Sequence, residues 1–477
     1  MSASRPASTG LSPLERAALP LLLAVAAVLR VRESFRTPLW YDELYTRAAV
    51  DRPWDAVMEV MRNDVHPPLH FAISWLWRFA GDSDLAVRSS SMVAGLAGVA
   101  VAGLLARECF GPRAGMLAAA LVALHPYHIY ASQEARSYPL LWLMLSLSAW
   151  GAWRWCEHGR RTDAALFVLG SALALWTHYL AGVALAVQWV WGLARLRREQ
   201  GRMLAWTGLH VAVAALFAPV LPLWWTQLHR VEVDHWMPRP TLADLFETLR
   251  KLAFGAVYLA PVVLALAVAP FTERRLRRAA TFALVAGPLV VLLCWGLGAA
   301  GVRVFTPRYM MLAIPALMML VAAGAMRLPG RAAGVAAALL LALSLRAAIL
   351  RPPSPEAESL RRMRAALEPQ LRPGDRVFHA DAHTLLFGLR YWPQQRHRLL
   401  LMGQRMPYYE GHHVVADSLR GEATEVADAV RNGERWWGLA VHQPGLDVSA
   451  ASALFDSAAA APPARFDVVK MWSGPAR

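Results

Sequence analysis

The sequence predicts an all-α polytopic membrane protein of about eleven transmembrane helices, followed by a small C-terminal α/β domain. Of its 477 residues, 56% are hydrophobic and only 17% are charged, whereas an ordinary soluble domain carries about 25% charged residues. The apolar residues form runs that approach the roughly 20 residues needed to cross a bilayer. The 20 tryptophans are typical of membrane–water interfaces. A soluble chain of this length would need more charge to cover its surface.

Eleven apolar segments are predicted to span the membrane, within a domain at 14–350. They lie at 14–31, 86–106, 114–132, 138–156, 163–178, 179–195, 203–225, 251–271, 279–299, 308–326 and 331–350. The stretch Pro67–Ala80, in the first external loop at 32–85, is too short and too rich in Trp and His, so we predict an interfacial helix there. The first segment lacks a convincing cleavage site and is expected to be an anchor. Residues 1–13 are expected to form a disordered cytoplasmic tail.

The net charge of +15 comes almost entirely from arginine, since Lys251 and Lys470 are the only lysines. With the N-terminus inside, the arginine clusters fall in cytoplasmic turns, at Arg107 and Arg113; Arg154, Arg160 and Arg161; Arg195, Arg197, Arg198 and Arg202; Arg274, Arg275, Arg277 and Arg278; and Arg327 and Arg331. This pattern follows the positive-inside rule, and it argues against nucleic-acid binding. If Pro67–Ala80 were counted as a span, all of these arginine clusters would lie on the external side instead.

Residues 351–477 have a different pattern, which predicts an extracytoplasmic α/β domain. A helix is predicted up to Leu367, and helical patterns recur near 382–391 and 422–432. Short apolar runs typical of strands lie at Arg376–Ala380, Arg398–Met402, Trp436–Val441 and Phe466–Trp472. The three cysteines show no metal-ligand spacing, so neither a zinc finger nor a disulfide framework is predicted.

Five polar clusters are predicted to lie on the external face. They are the first loop, with Leu39-Trp-Tyr-Asp-Glu-Leu-Tyr45 and Asn63-Asp-Val-His-Pro-Pro-Leu-His70; Arg88; the segment from His125 to Tyr138, with Glu134 and Arg136; Thr177-His-Tyr179; and Thr306-Pro-Arg-Tyr309. Each cluster alone is explained by interfacial anchoring or local ion pairs. Because all five clusters are predicted on the same face of the membrane, we expect them to line a shared polar cavity.

An acidic residue near several arginines at a membrane surface suits a substrate with a lipid-linked phosphate, because arginine offers a charged planar fork for phosphate. A departing lipid phosphate needs little protonation, so one carboxylate base would be enough to activate an acceptor hydroxyl. Asp42 and Glu43 are adjacent and would point in different directions. One could be the base while the other orients a neighbour, or both could simply stabilise a helix N-terminus. The aromatic neighbours of Asp42 favour it as the base.

These motifs resemble the GT-C superfamily of membrane glycosyltransferases, and most nearly the protein O-mannosyltransferase-like family, which includes the aminoarabinose transferases. The resemblance covers roughly residues 14–326. It implies a polyprenyl-phosphate sugar donor, an extracytoplasmic active site and usually inversion at the anomeric carbon. Aminoarabinose-type relatives carry a Lys where this chain has His66, so the sugar and a divalent metal ion are left open.

The clusters and the resemblance together give the candidate site. The candidate catalytic residues are Asp42 and Glu43. The candidate substrate-binding residues are His66, Arg88, Glu134, Arg136, Tyr138, His178, Tyr179, Arg308 and Tyr309.

Two other functional classes fit part of the pattern. A transporter or flippase of lipid-linked saccharides explains the spans and the anionic-lipid site, but it would place ionisable residues within the spans. A non-catalytic membrane scaffold is the third class. Composition indicates a GC-rich bacterial genome, and therefore an undecaprenyl carrier in the inner membrane. The expected partners are the lipid-linked donor, a lipid, glycan or protein acceptor, and membrane lipids.

Overall fold

The computed structural model describes residues 13–233, 237–256, 259–403, 413–442 and 446–474. The predicted cytoplasmic tail lies outside the described residues except for Pro13, which begins the first helix. The described chain is mostly helical, with one small sheet near the C-terminus.

The chain divides into two compact units. The first unit comprises Met1–Arg32, Ser91–Pro219 and Met237–Arg351, and the second comprises Glu33–Ser90, Val220–Trp236 and Pro352–Arg477. One boundary thus falls between Arg351 and Pro352, where the composition of the sequence changes. The residues that follow the first helix belong to the same unit as the C-terminal residues, an association that no local sequence pattern indicates.

The helices that supply the first unit lie close to the predicted spans. They are Pro13–Ser34, Asp84–Phe110, Pro112–Leu124, Pro126–Ser132, Tyr138–His158, Arg161–Thr177, Ala181–Leu196, Gln200–Phe217, Leu242–Leu252, Ala260–Val268, Arg274–Ala286, Pro288–Ala299, Ile314–Ala325 and Arg331–Leu350. Several begin at proline, which fits the first turn because the missing N–H would be unsatisfied there in any case.

The predicted span at 251–271 is wrong as a single helix. One helix ends at Leu252 and the next begins at Ala260. Between them, Phe254 and Gly255 have φ values of 60° and 82°. This left-handed backbone cannot continue a right-handed helix.

Four described helices are long and apolar enough to cross a membrane, and a bent pair would make a fifth. One of the four is Asp84–Phe110, and the other three run across the short breaks between successive helices, at Gln200–His229, Leu276–Ala299 and Arg331–Gln370. The bent pair is Pro112–Leu124 with Pro126–Ser132, at 60°. Several other helices are short: Arg161–Thr177 has 17 residues, or about 25 Å at 1.5 Å per residue. The eleven-span topology therefore stays a prediction.

The second unit contains the first-loop helices and the sheet. Its helices are Tyr41–Val50, Trp54–Asn63, Leu69–Trp77, Leu221–Val233, Pro355–Leu367, Ala382–Tyr391, Thr424–Arg431 and Ser449–Ala458. Helix Leu69–Trp77 has nine residues, which is too few to span a bilayer. It lies within the stretch Pro67–Ala80, where a short helix was predicted.

The sheet confirms the predicted C-terminal α/β alternation. Its strands are β1 (Arg376–His379), β2 (Arg396–Leu400), β3 (Arg420–Gly421), β4 (Trp436–Val441), β5 (Ala464–Phe466) and β6 (Val469–Ser473), in the order β3-β2-β1-β4-β6-β5. The first four strands pair in parallel, and β6 and β5 add an antiparallel edge. All six residues of β4 are buried, as expected for a strand covered on both faces.

Candidate active site

The acid pair of the first loop opens helix Tyr41–Val50 in the second unit. Trp40 is extended and precedes the helix, and Asp42 and Glu43 lie in its first turn. The Glu43 carboxylate accepts a hydrogen bond from the Trp40 backbone N–H at 3.3 Å. Acidic residues are favourable here because the helix dipole is positive at its N-terminus. The helix N-terminus therefore gives Glu43 a structural role, because Glu43 also accepts a hydrogen bond from the backbone there.

Glu43 is fully buried and forms a two-pronged ion pair with Arg88, which is 3% exposed. The Arg88 Nε donates to Glu43 Oε1 at 2.7 Å, and Nη2 donates to Oε2 at 2.6 Å. Arg88 also donates to the carbonyls of Thr37 and Pro38 at 2.9 and 3.0 Å. The guanidinium therefore ties the loop before the helix to the acid within it. Both residues hold this segment in place.

Asp42 lies in a different environment from Glu43. Tyr41 and Glu43 are buried, whereas Asp42 between them is half-buried. This follows from the helix, in which neighbouring side chains point about 100° apart. The Tyr41 ring stacks on the His383 ring, with centroids 3.7 Å apart. Of the two acids, Asp42 is therefore the more exposed.

His66 is oriented by Asp64, a residue that the sequence analysis did not select. Asp64 Oδ1 accepts from the backbone N–H groups of Val65 and His66 at 2.6 and 2.8 Å, and lies 2.7 Å from His66 Nδ1. Its Oδ2 accepts from the Tyr45 hydroxyl at 2.6 Å. An aspartate that bonds to the backbone just after it is a common turn device. The spacing of Asp64 and His66 could have revealed this local pair.

C-terminal residues complete the surroundings of helix Tyr41–Val50. The Tyr391 hydroxyl accepts from the Leu39 backbone N–H and donates to Asp84 Oδ2, both at 2.7 Å. Burial and the Asp84 carboxylate raise the pKa of Tyr391, so the hydroxyl keeps the proton it donates. The His413 Nε2 lies 3.1 Å from the Tyr45 hydroxyl. More than 300 residues separate these partners in sequence, so no motif could have joined them.

A second group of predicted residues comes together in the first unit. Arg308 Nη2 donates to Glu134 Oε2 at 2.7 Å, and its guanidinium lies 4.8 Å from the centre of the Tyr138 ring. The Tyr138 and Tyr309 rings are 5.8 Å apart, and the His178 and Tyr309 rings meet edge to face at 5.0 Å. We call these five residues the Arg308 group. Three separate stretches of sequence supply them.

The two other candidates in the first unit have different neighbours. Arg136 is buried, and its backbone carbonyl accepts from the Ser91 hydroxyl at 3.1 Å. The Tyr179 ring packs edge to face against Phe217 at 6.3 Å. Among the described residues there is no group of three or more His, Cys, Asp or Glu that could hold a metal ion.

The family model for dolichyl-phosphate-mannose-protein mannosyltransferases matches residues 65–225 of this chain. That stretch contains His66, Arg88 and Glu134, but it ends before Arg308. A search of curated proteins found no match.

Solved structures of similar fold cover almost the whole chain. ArnT from Cupriavidus metallidurans in the apo state has a TM-score of 0.68 and 16% identity, covering 97% of this chain and 100% of its own. The same protein bound to undecaprenyl phosphate has a TM-score of 0.65 and 16% identity, covering 96% and 98%. The Archaeoglobus fulgidus oligosaccharyltransferase in complex with zinc and sulfate has a TM-score of 0.50 and 11% identity, covering 89% and 68%. The resemblance drawn from the motifs is therefore confirmed: the chain shares the fold of ArnT and of the oligosaccharyltransferase, and its residues 65–225 match the family model for the mannosyltransferases.

Proposed function

We propose that this protein is a membrane glycosyltransferase that moves a sugar from a polyprenyl-phosphate donor to a hydroxyl of an extracytoplasmic acceptor, with inversion at the anomeric carbon. The observation that carries the proposal is the difference in burial and pairing between the two adjacent acids, Asp42 and Glu43. Glu43 is buried and paired with Arg88, while Asp42 is half-buried in the same helical turn. The similarity in fold to ArnT, which has been solved with undecaprenyl phosphate, supports the lipid-linked donor.

In the proposed reaction Asp42 takes the proton of the acceptor hydroxyl as that oxygen attacks the anomeric carbon from the face opposite the phosphate. The bond between the anomeric carbon and the phosphate oxygen breaks, and its electrons leave with the polyprenyl phosphate. The products are the glycosylated acceptor, free polyprenyl phosphate and a proton on Asp42. A general base in this position typically contributes about 10²- to 10⁴-fold in rate.

Vesicle assays can separate this proposal from transport. Purified protein in liposomes, given radiolabelled polyprenyl-phosphate sugars and an envelope extract, should move the label to the acceptor and release polyprenyl phosphate. An intact donor that crosses the bilayer without losing its sugar would instead indicate a flippase. Mass spectrometry of envelope glycans and glycoproteins from a gene-deletion strain should then identify the sugar and the acceptor.

Replacing Arg308 by Lys is expected to weaken donor binding about tenfold. We assign the donor phosphate to the Arg308 group because the Arg308 side chain is 31% exposed, whereas four N–H donors of Arg88 are used within the protein. Lysine keeps the charge but loses the planar fork, and one charged hydrogen bond is worth about 1.5 kcal/mol, or roughly a factor of ten. Donor titration should measure this change.

Arg154→Lys is the matched control for Arg308→Lys. Arg154 lies in the same unit, has a side chain 26% exposed and pairs with two carboxylates, Glu108 and Asp163. The Arg154→Lys variant should bind the donor with wild-type affinity. Unchanged donor affinity in Arg308→Lys would contradict the assignment to Arg308. Unchanged affinity in Arg136→Lys and Arg88→Lys as well would exclude all three arginines as phosphate ligands.

We place the protein in the bacterial inner membrane, with its N-terminus inside and residues 352–477 outside. The alternating arginine clusters support this orientation. Reporter fusions at Gly201 and Gly374 should therefore report opposite sides of the membrane. The same side for both would contradict the eleven-span topology.

A further inference from the structure

One helix of the C-terminal α/β domain lies against the first loop. Tyr391, at the C-terminal end of helix Ala382–Tyr391, accepts a hydrogen bond from the Leu39 backbone N–H at 2.7 Å. His383, in the first turn of the same helix, stacks on Tyr41, with the two rings 5° from parallel and their centroids 3.7 Å apart. The two ends of this helix therefore hold positions 39 and 41 of the first loop. We call His383 and Tyr391 the loop clamp.

The helix that carries the loop clamp is fixed to the C-terminal sheet. Asp381 caps its N-terminus, and the Asp381 carboxylate accepts from the backbone N–H groups of Thr384 and Val441, both at 2.8 Å. Val441 is the last residue of strand β4, so one carboxylate joins the helix to the sheet. The His383 Nδ1 also lies 3.2 Å from Oε1 of Glu356, a buried residue of the preceding helix. The loop clamp is thus supported from within its own domain.

Asp42 lies between two side chains that are held on opposite sides of helix Tyr41–Val50. Tyr41 and Glu43 are two positions apart, so their side chains point about 200° apart around the helix axis. Tyr41 stacks on His383, and Glu43 is paired with Arg88. A rotation of the helix about its axis would break at least one of these contacts. The direction in which the Asp42 carboxylate points is therefore decided by its two neighbours.

A general base depends on support of this kind. Catalytic groups must be held within about 0.5 Å of the productive geometry by the packing and hydrogen bonds of the residues behind them. A displacement of about 1 Å, caused by a substitution away from the reacting atoms, can lower a rate about a hundredfold. Arg88 supplies part of this support through Glu43. The loop clamp supplies the part that acts on the residues before Asp42.

We propose that His383 and Tyr391 are positioning residues, which hold the backbone before Asp42 so that its carboxylate faces the acceptor hydroxyl. This inference rests on the proposed function, because it takes Asp42 as the general base. It gives the C-terminal domain a part in the transfer reaction, although neither clamp residue touches the substrate. A contact that only stabilised the domain would change the free energy of unfolding without a specific effect on transfer.

Single-turnover transfer at saturating donor tests the loop clamp. His383→Ala removes the ring that stacks on Tyr41, and the rate should fall about 10- to 100-fold while the donor Kd stays within about twofold of the wild-type value. His383→Phe keeps a flat ring and should recover most of the rate. Tyr391→Phe loses only the hydroxyl, and with it the bonds to Leu39 and Asp84. It should also transfer more slowly with unchanged donor Kd, so the test does not depend on one variant that folds.

Phe455→Leu is the matched control for loss of a ring in the same domain. Phe455 is fully buried and packs against Trp472, with ring centroids 5.2 Å apart. It belongs to a different apolar cluster from the one that contains Leu39 and Tyr41. The control should lower the melting temperature and leave the transfer rate of the folded protein at the wild-type value. It therefore separates a loss of domain stability from a loss of positioning.

The double variant Asp42→Asn with His383→Ala shows whether His383 acts through Asp42. If it does, the second substitution should cost less than about threefold in residual transfer, because the effects of residues that act as a unit are not additive. A full further loss in the double variant would overturn the inference. Clamp variants that transfer as fast as Phe455→Leu would overturn it too, while wild-type transfer that still requires Asp42 would leave the proposed function intact. A wild-type protein that transfers no sugar would contradict the proposed function itself, and the role of the clamp with it.

Discussion

Asp42→Asn is expected to lower the rate of sugar transfer by about 10²- to 10⁴-fold while donor binding stays close to the wild-type value. Asparagine keeps the shape of the side chain and removes its basicity, so the acceptor hydroxyl would lose its proton acceptor. Because Asp42 is half-buried beside the buried Glu43–Arg88 pair, the substitution leaves that pair in place. The fold of the loop should therefore be preserved.

The measurement is a single-turnover transfer assay together with a donor titration on the same preparation. Asp55→Asn is the matched control, since Asp55 also lies in the first turn of a helix in the second unit and is exposed. It should transfer at the wild-type rate. An Asp42→Asn enzyme that transfers equally fast would exclude Asp42 as the base. If donor affinity fell together with the rate, Asp42 would be a binding residue instead.

Local patterns predicted the parts of the fold that depend on short-range interactions. Helix Ala382–Tyr391 has the predicted bounds, because Asp381 caps it by accepting from the Thr384 N–H at 2.8 Å. The break after Leu252 was missed because apolar composition alone does not reveal the left-handed backbone at Phe254. An apolar stretch of sequence indicates that a segment can lie in a membrane, but it does not indicate where a helix within that segment ends.

The partners of the site residues were beyond the reach of sequence patterns. The motifs selected Glu43, Arg88, Glu134 and Arg308 as charged residues on one predicted face. Their pairing across 45 and 174 positions depends on how the helices pack. Arg88 illustrates the consequence, since the sequence suggested a phosphate ligand, and the structure pairs its guanidinium with Glu43 and with two carbonyls of the first loop. A charge can be found in a sequence, but its partner is decided by tertiary structure.

Breaking the Glu43–Arg88 pair is expected to destabilise the protein by about 3–5 kcal/mol, because removing one partner leaves the other charge buried without compensation. Arg88→Met should have this effect, since Glu43 is fully buried. The exposed pair Arg62–Glu59, with side chains 64% and 62% exposed, gives the matched control. Arg62→Met should cost less than about 1 kcal/mol. Chemical unfolding in detergent measures both.

The double variant Glu43→Met with Arg88→Met separates stability from positioning. With both charges gone, no buried ion is left uncompensated, so much of the lost stability should return. Sugar transfer should nevertheless stay low, because the bonds from Arg88 to the Thr37 and Pro38 carbonyls, which hold the loop before Asp42, are still missing. Full recovery of both stability and transfer would show that the pair has no role in placing Asp42. An Arg88→Met variant no less stable than Arg62→Met would contradict the buried ion pair itself.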